Sequence, residues 1–132
     1  MDAFLAVVSK REVRRYDARA LDEDSSRRIL EAGRVAGSAA NRQHRRFVVL
    51  GDRDAAAAAV YAPDNLRGAT LVVAIVVAGK GPLAFDAGRA AQNMMLAAWN
   101  DGVVSCPNGQ RDPVAVERIG RASCRERVSI DV

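Results

Sequence analysis

An unbroken apolar run at residues 71–77, LVVAIVV, leaves few options other than a buried β-strand. The run is rich in β-branched residues, and it is too short to cross a bilayer as a helix, which needs about 20 residues. Strands of this kind are buried on both faces, so helices are expected on both sides of their sheet. We therefore predict that residues 71–77 form the central strand of a sheet between two helical layers.

The remaining chain alternates between helix and strand patterns. Apolar residues at helical spacing, acidic residues at helix starts and glycine after the last turn define the helices. The longest helical pattern is rich in alanine and apolar almost all round, which predicts a position deep in a core or an interface. The predicted elements are helices over 2–9, 21–36, 55–61 and 86–100, a strand over 46–50, an extended stretch over 103–105 and a turn over 107–109.

Composition and charge narrow the class of protein. The chain has 132 residues, of which 49% are hydrophobic and only 5% aromatic, so its core is small and suits completion by a partner subunit. The net charge is +4, but the sequence lacks the basic stripe with stacking aromatic residues that is typical of nucleic-acid-binding proteins. We therefore expect no nucleic-acid partner. Cys106, Cys124 and His44 fit neither a disulfide framework nor a metal site. The sequence shows neither the pattern of a secretory leader nor an apolar run long enough to cross a membrane. We therefore expect a cytoplasmic protein with reduced thiols and no membrane partner.

The end of the chain predicts a foreign tail. Residues 119–128 match the in-frame translation of a short-read sequencing adapter. We therefore expect residues 119–132 to be non-native and the natural chain to continue differently after about Arg118, so that Cys124 and the tail arginines carry no role. An ordinary amphipathic C-terminal helix is the alternative.

Common catalytic motifs are absent, and three other stretches carry the functional signal. The chain has no GxSxG elbow, P-loop or GxGxxG fingerprint. Residues 10–16 (KREVRRY) place several cations within about two helical turns, which is enough to hold a phosphate, although solvated charges explain the run as well. Residues 37–43 (GSAANRQ) are, on residue types alone, a helix end and a polar loop. Residues 86–109 combine the alanine-rich helix with the loop SCPNG.

Together these stretches resemble the FMN-dependent nitroreductase family over residues 4–112. The first resembles a motif close to Arg-Arg-Ser-Val-Arg-x-Phe, whose basic residues and Ser contact the FMN phosphate and ribityl chain. Lys10, Arg11 and Arg14 match the basic positions and Tyr16 the aromatic one. Glu12 stands in the place of the Ser, and because a carboxylate repels a phosphate unless it points away or pairs with Arg, we leave Glu12 out of the predicted site.

The second and third stretches also match family patterns. The second resembles Pro-Ser-x-x-Asn-x-Gln-Pro-Trp-x-Phe, a loop that reaches the flavin of the other subunit. In the third, a loop whose backbone meets the isoalloxazine follows the long central helix. In the second stretch, His44-Arg45 replaces Pro-Trp, and outside these stretches Asn65 matches a flavin-contacting Asn of the family. The matching residues are Gly37, Ser38, Asn41, Gln43 and Phe47 in the second stretch and Pro107, Asn108 and Gly109 in the third.

The resemblance implies an α+β fold, a three-layer α/β/α domain with a mixed, mainly antiparallel sheet completed by dimerisation. It also implies a homodimeric enzyme that passes hydride from NAD(P)H through FMN to a nitroaromatic, quinone or similar small-molecule acceptor. No side chain is expected to act as acid, base or nucleophile, since the flavin carries the chemistry. The expected cofactor-binding residues are Lys10, Arg11, Arg14, Ser38, Asn41, Asn65, Pro107, Asn108 and Gly109.

On this interpretation, residues 1–118 form an FMN-binding domain that is incomplete at its C-terminus, because family members continue into a further strand and a C-terminal segment. Two alternatives remain open. One is a fragment that is inactive or only binds flavin. The other is a cofactor-free basic module that binds an acidic partner through Arg42, Arg45 and Arg46.

Overall fold

The computed structural model describes residues 1–17, 19–112, 114–115 and 118–119. Most of the predicted foreign tail, with Cys124, lies outside the described residues. The predicted helices and strands are confirmed, with ends that shift by at most three residues. In chain order the elements are α1 (Ala3–Ser9), α2 (Glu23–Arg34), β1 (Arg45–Val49), α3 (Arg53–Ala58), β2 (Val73–Val77) and α4 (Leu83–Asn100), with short 3-10 turns at Ala39–Asn41 and Pro63–Leu66.

Aspartates determine where three of the helices begin. The first backbone N–H groups of a helix have no partner within the helix, and an aspartate just before it supplies a carboxylate oxygen that accepts one of them. The negative charge also interacts favourably with the helix dipole. Asp2 accepts from the Leu5 N–H at 2.8 Å before α1, Asp22 from Ser25 at 2.8 Å before α2, and Asp52 from Ala55 at 2.9 Å before α3.

The sheet lies between two helical layers. β1 and β2 pair antiparallel, with Phe47 opposite Ile75 and Val48 opposite Ala74. Phe47 and Ile75 pack in the cluster formed with α2 and α4, whereas Val48 and Ala74 pack in the cluster on the side of α3. This confirms the α+β class and the prediction that helices cover both faces of the sheet.

The central position predicted for residues 71–77 is not met in the described part of the chain. β2 starts at Val73, and β1 is its one hydrogen-bonded strand neighbour among the described residues. Four of its five residues are half-buried, and Ala74 is the buried one. The apolar run is therefore partly exposed in the part of the chain that the structure describes, which the pattern of residue types does not reveal.

Close packing of α2 against α4 forms one half of the core. Gly33 of α2 faces Met94 of α4, and Ala90 and Met94 are both 0% exposed. The buried positions of α4 recur every fourth residue along one side, while Phe85 on the other side is 65% exposed. The prediction of a deep position therefore holds for one face of α4, because i, i+4 neighbours share a face. The other side is partly exposed and meets α1 through Trp99, whose indole N–H donates to Ser9 Oγ at 2.9 Å.

Candidate functional site

The basic segment after α1 is extended, so the helical spacing used to group its cations is wrong. α1 ends at Ser9, and Lys10 has φ −54° and ψ 133°. Glu12 then forms an isolated parallel bridge with Ser105, and the Val13 N–H donates to the Ser105 carbonyl oxygen at 3.0 Å. These main-chain bonds hold the segment against the extended stretch that follows α4, in place of bonds within a helix.

The extended backbone brings Lys10, Glu12 and Arg14 together. Residues two apart on an extended chain share one side. The Lys10 Nζ lies 3.5 Å from Glu12 Oε1, and an Arg14 guanidinium nitrogen lies 3.7 Å from Glu12 Oε2. The Lys10 side chain is 8% exposed and that of Arg14 57%. The carboxylate of Glu12, which we leave out of the predicted site, therefore lies between the two cations.

Arg11 lies apart from this group. Its guanidinium donates to the carbonyl oxygens of Val8 at 3.0 Å and Lys10 at 2.9 Å. Basic side chains commonly satisfy the last carbonyls of a helix and interact favourably with the negative end of its dipole. Arg11 thus stabilises the end of α1, and among the described residues no hydrogen bond or ion pair joins its side chain to the side chains of Lys10, Glu12 or Arg14.

The loop after α4 runs between two neighbouring segments, so the turn predicted at 107–109 is wrong. Its start pairs with Glu12 through Ser105, and its end pairs with Val60 through Gln110. Residues 107–109 adopt neither a turn nor a bend, and the two ends of the loop are held by different segments. In between, the Asn108 side-chain amide donates to the Ala62 carbonyl at 2.9 Å, and the Tyr61 N–H donates to the Gly109 carbonyl at 3.0 Å.

The loop after α4 therefore lies between two other segments that carry predicted cofactor-binding residues. Lys10 and Arg14 lie on one side of it, and the 3-10 turn that carries Asn65 lies on the other. No hydrogen bond between described residues occupies the backbone N–H groups of Asn108 and Gly109 or the side-chain amide of Asn65. Donors on one concave surface, next to two cations, are a suitable environment for a ligand that carries carbonyl oxygens and an anion.

A cavity of about 280 Å³ opens beside this surface. Its lining is largely apolar and includes residues of β2 and α4, and its polar residues are Tyr16, Asn65, Thr70, Ser105, Cys106, Asn108 and Gln110. Lys10, Arg14 and Gly109 lie outside this lining. Tyr16 is half-buried, and its burial raises the pKa of the phenol; Cys106 contributes in the same direction and Arg14 opposes them. The Tyr16 hydroxyl therefore stays protonated near neutral pH and keeps its donor. Tyr16 was matched to an aromatic position but was not included in the predicted site.

The second predicted stretch forms a separate loop. Ser38 Oγ accepts the Gln43 N–H, and Asn41 Oδ1 accepts the Gln43 side-chain amide, both at 2.9 Å. Ala40, Asn41 and Gln43 have φ of 50°, 51° and 54°, a region that non-glycine residues seldom adopt. Among the described residues, no hydrogen bond or ion pair joins this loop to Lys10 or to the loop after α4. Within one chain the structure does not bring Ser38 and Asn41 to the other predicted residues.

Two buried charged residues hold this loop in its unusual conformation. Arg45, 9% exposed, donates to the carbonyl oxygens of Ala36, Arg34 and Gly37 at the end of α2. Asp86, 7% exposed, accepts the Ala39 N–H at 3.0 Å. Arg42, Arg45 and Arg46 were predicted as a basic surface for an acidic partner, but Arg45 is buried and is not available to such a partner. Arg45 shares a side of β1 with Phe47, and this period of two is the signal that would have placed it in the core.

Other site types find no support in the part of the chain that the structure describes. Among those residues no three His, Cys, Asp or Glu side chains converge in a way that would hold a metal ion. None of the described helices is long and apolar enough to span a membrane. His44 is exposed, and Cys106 is a free cysteine.

Comparison with solved structures gives the same fold. A protein of Desulfovibrio desulfuricans, described as a nitroreductase in complex with FMN, is 32% identical over 74% of this chain and 62% of that one, with a TM-score of 0.68. This chain therefore spans less than two thirds of that relative's length. A Bacteroides fragilis nitroreductase with bound FMN is 26% identical over 80% of this chain and 69% of that one, with a TM-score of 0.64.

A third structure supports the fold alone. It comes from Bacteroides thetaiotaomicron, is described as an NADH dehydrogenase/NAD(P)H nitroreductase, and is 24% identical over 95% of this chain and 77% of that one, with a TM-score of 0.79. No curated protein matches this chain in sequence. The nitroreductase family model, however, matches residues 7–73 and 62–129. Together with the 32% identical relative, this match shows that the chain belongs to the nitroreductase family.

Proposed function

We propose that this protein is an FMN-dependent oxidoreductase that passes hydride from NAD(P)H through the flavin to a nitroaromatic, quinone or similar acceptor. The main support is the bond from the Val13 N–H to Ser105, because it places Lys10 and Arg14 beside the loop that carries Asn108. Two of the similar structures contain FMN.

The residues at this place fit the parts of FMN. Lys10 and Arg14 would hold the phosphate through charge-assisted hydrogen bonds. The backbone N–H groups of Asn108 and Gly109 and the amide of Asn65 would donate to the isoalloxazine edge, which tunes the electronics of a flavin. Bound FMN would accept hydride from NAD(P)H and deliver it to the acceptor. The chain's own residues bind and orient, and we assign none of them as acid, base or nucleophile.

We further propose that a second copy of the chain completes the site. The loop with Ser38 and Asn41 lies apart from the other residues within one chain, so a partner's loop would supply these contacts at the interface. Large apolar side chains are exposed on α1 and α4, with Phe4 at 77% and Phe85 at 65%, and exposed apolar patches commonly mark interfaces. A native domain over residues 1–118, a foreign tail over 119–132 and a cytoplasmic location belong to the same proposal.

Flavin titration tests this function directly. We expect saturable binding of FMN, monitored by quenching of flavin fluorescence, and weaker binding of riboflavin, which lacks the phosphate. Arg14→Ala removes one charge-assisted contact and should raise the Kd for FMN by about tenfold, equivalent to about 1.4 kcal/mol, with little effect on riboflavin. Arg27→Ala is the matched control, because Arg27 is an exposed arginine of α2 that pairs with Glu23. An unchanged FMN titration for Arg14→Ala would contradict the phosphate role.

Turnover and assembly separate the proposal from its alternatives. The flavin-loaded protein should oxidise NADH or NADPH in the presence of a quinone with ping-pong kinetics, and it should sediment as a dimer. FMN binding to a dimer that shows no turnover would support the alternative of a protein that only binds flavin. A monomer without flavin affinity would refute the proposed function for this chain and support the alternative of an inactive fragment.

A further inference from the structure

We propose that Glu12 determines how strongly this site distinguishes a phosphorylated flavin from an unphosphorylated one, by competing with the ligand phosphate for Lys10 and Arg14. The inference rests on the proposed function, since it assigns a role within that binding site. It starts from the two ion pairs of one carboxylate, in which Glu12 Oε1 lies 3.5 Å from Lys10 Nζ and Oε2 lies 3.7 Å from Arg14. Each oxygen of Glu12 thus faces a different cation.

The backbone keeps Glu12 in this position. Its parallel bridge with Ser105 and the bond from the Val13 N–H hold the chain on both sides of the Glu12 side chain. The side chain is 44% exposed, and Lys10, at 8%, has few other directions open to it. A ligand therefore meets the cations with the carboxylate already between them.

Charge balance gives the direction of the effect. Lys10 and Arg14 together match the charge of a phosphate, which carries about −1.5 to −2 at neutral pH. Glu12 cancels one of the two positive charges before the ligand arrives, and it repels the phosphate once bound. The phosphate consequently contributes less to binding than the two cations alone would allow. Riboflavin has no phosphate and does not meet this repulsion.

The test compares FMN and riboflavin affinities of the purified full chain and four variants. Glu12→Gln keeps the size of the side chain and removes its charge, so the Kd for FMN should fall by about tenfold while that for riboflavin stays within about twofold. Glu12→Asp keeps the charge and should retain the weaker FMN preference. Glu23→Gln is the matched control, because Glu23 pairs with Arg27 on the surface of α2. Repeating the titrations at about 0.5 M salt should reduce the difference, since exposed charges are screened.

The possible outcomes separate this inference from the proposed function. Saturable FMN binding by the wild-type chain, with the same FMN to riboflavin ratio in Glu12→Gln, would overturn the inference and leave the function standing. FMN binding by Glu12→Gln alone would support the inference and show that the natural carboxylate blocks the phosphate. Absence of FMN binding in both proteins would overturn both. Glu12→Ser provides a second uncharged side chain and must agree with Glu12→Gln, otherwise the charge explanation fails.

Discussion

Met94→Ala is expected to lower the free energy of unfolding by about 2–5 kcal/mol, the range for truncating a buried methionine. Met94 is 0% exposed and packs between α2 and α4 together with Ile29, Phe47 and Ala90. Truncation removes its apolar contacts and leaves a space that the two helices cannot readily fill, because Gly33 already brings them into close contact. Urea unfolding followed by circular dichroism measures the change.

Two variants serve as controls for this prediction. Met94→Leu keeps the apolar volume and should cost less than about 1.5 kcal/mol. Gln92→Ala changes an exposed residue of the same helix and should stay within about 0.5 kcal/mol of the wild type. If Met94→Ala cost no more than Gln92→Ala, the helix packing described above would be wrong.

Gly33→Ala is expected to destabilise the protein by about 1–3 kcal/mol, although alanine is normally the better helix former by about 1 kcal/mol. A Cβ at Gly33 would lie 2.5 Å from the sulfur of Met94, 2.8 Å from its Cγ and 3.0 Å from a ring carbon of Phe47. Both neighbours are buried, so neither has space to move. The steric cost therefore exceeds the gain in helix propensity.

Gly88 provides the matched control for Gly33. It is also a helical glycine, but a Cβ there meets nothing within 4 Å. Gly88→Ala should therefore stabilise the protein by about 0.5–1 kcal/mol, the opposite sign. The cost of Gly33→Ala should also largely disappear in the Met94→Ala background, because the new methyl group would occupy the vacated space. Equal effects of the two glycine substitutions in chemical denaturation would refute this account of the α2–α4 contact.

The sequence predicted the elements well because their signals are local. Aspartates before three helices and the apolar period of the strands lie within a few residues of the elements they define. The three motifs likewise identified the family, since each is a short run of neighbouring residues. The central position predicted for β2 is not met in the described residues, because the number of strand neighbours depends on segments distant in the chain.

The candidate site was predicted less completely. Asn65 and Asn108 line one cavity, and Lys10 and Arg14 belong to the segment beside the start of the loop after α4, whereas Arg11 points to the end of α1. Our exclusion of Glu12 rested on its repulsion of a phosphate, and the structure shows its carboxylate paired with Lys10 and Arg14. Ser105, far along the chain, forms the backbone bridge with Glu12 that holds this segment extended. The roles of all these residues toward a flavin remain predictions for the titrations described above.

Sequence alone determined the order of helices and strands, the family and the kinds of charge available to the site, because these follow from local propensity and residue type. Only the tertiary structure decided which charges meet. Lys10 and Arg14 face each other across Glu12 in a segment that the bond from Val13 to Ser105 holds extended, and the buried Arg45 guanidinium donates to carbonyl oxygens at the end of α2. Such contacts join residues that are distant in sequence, and their geometry depends on how the whole chain packs.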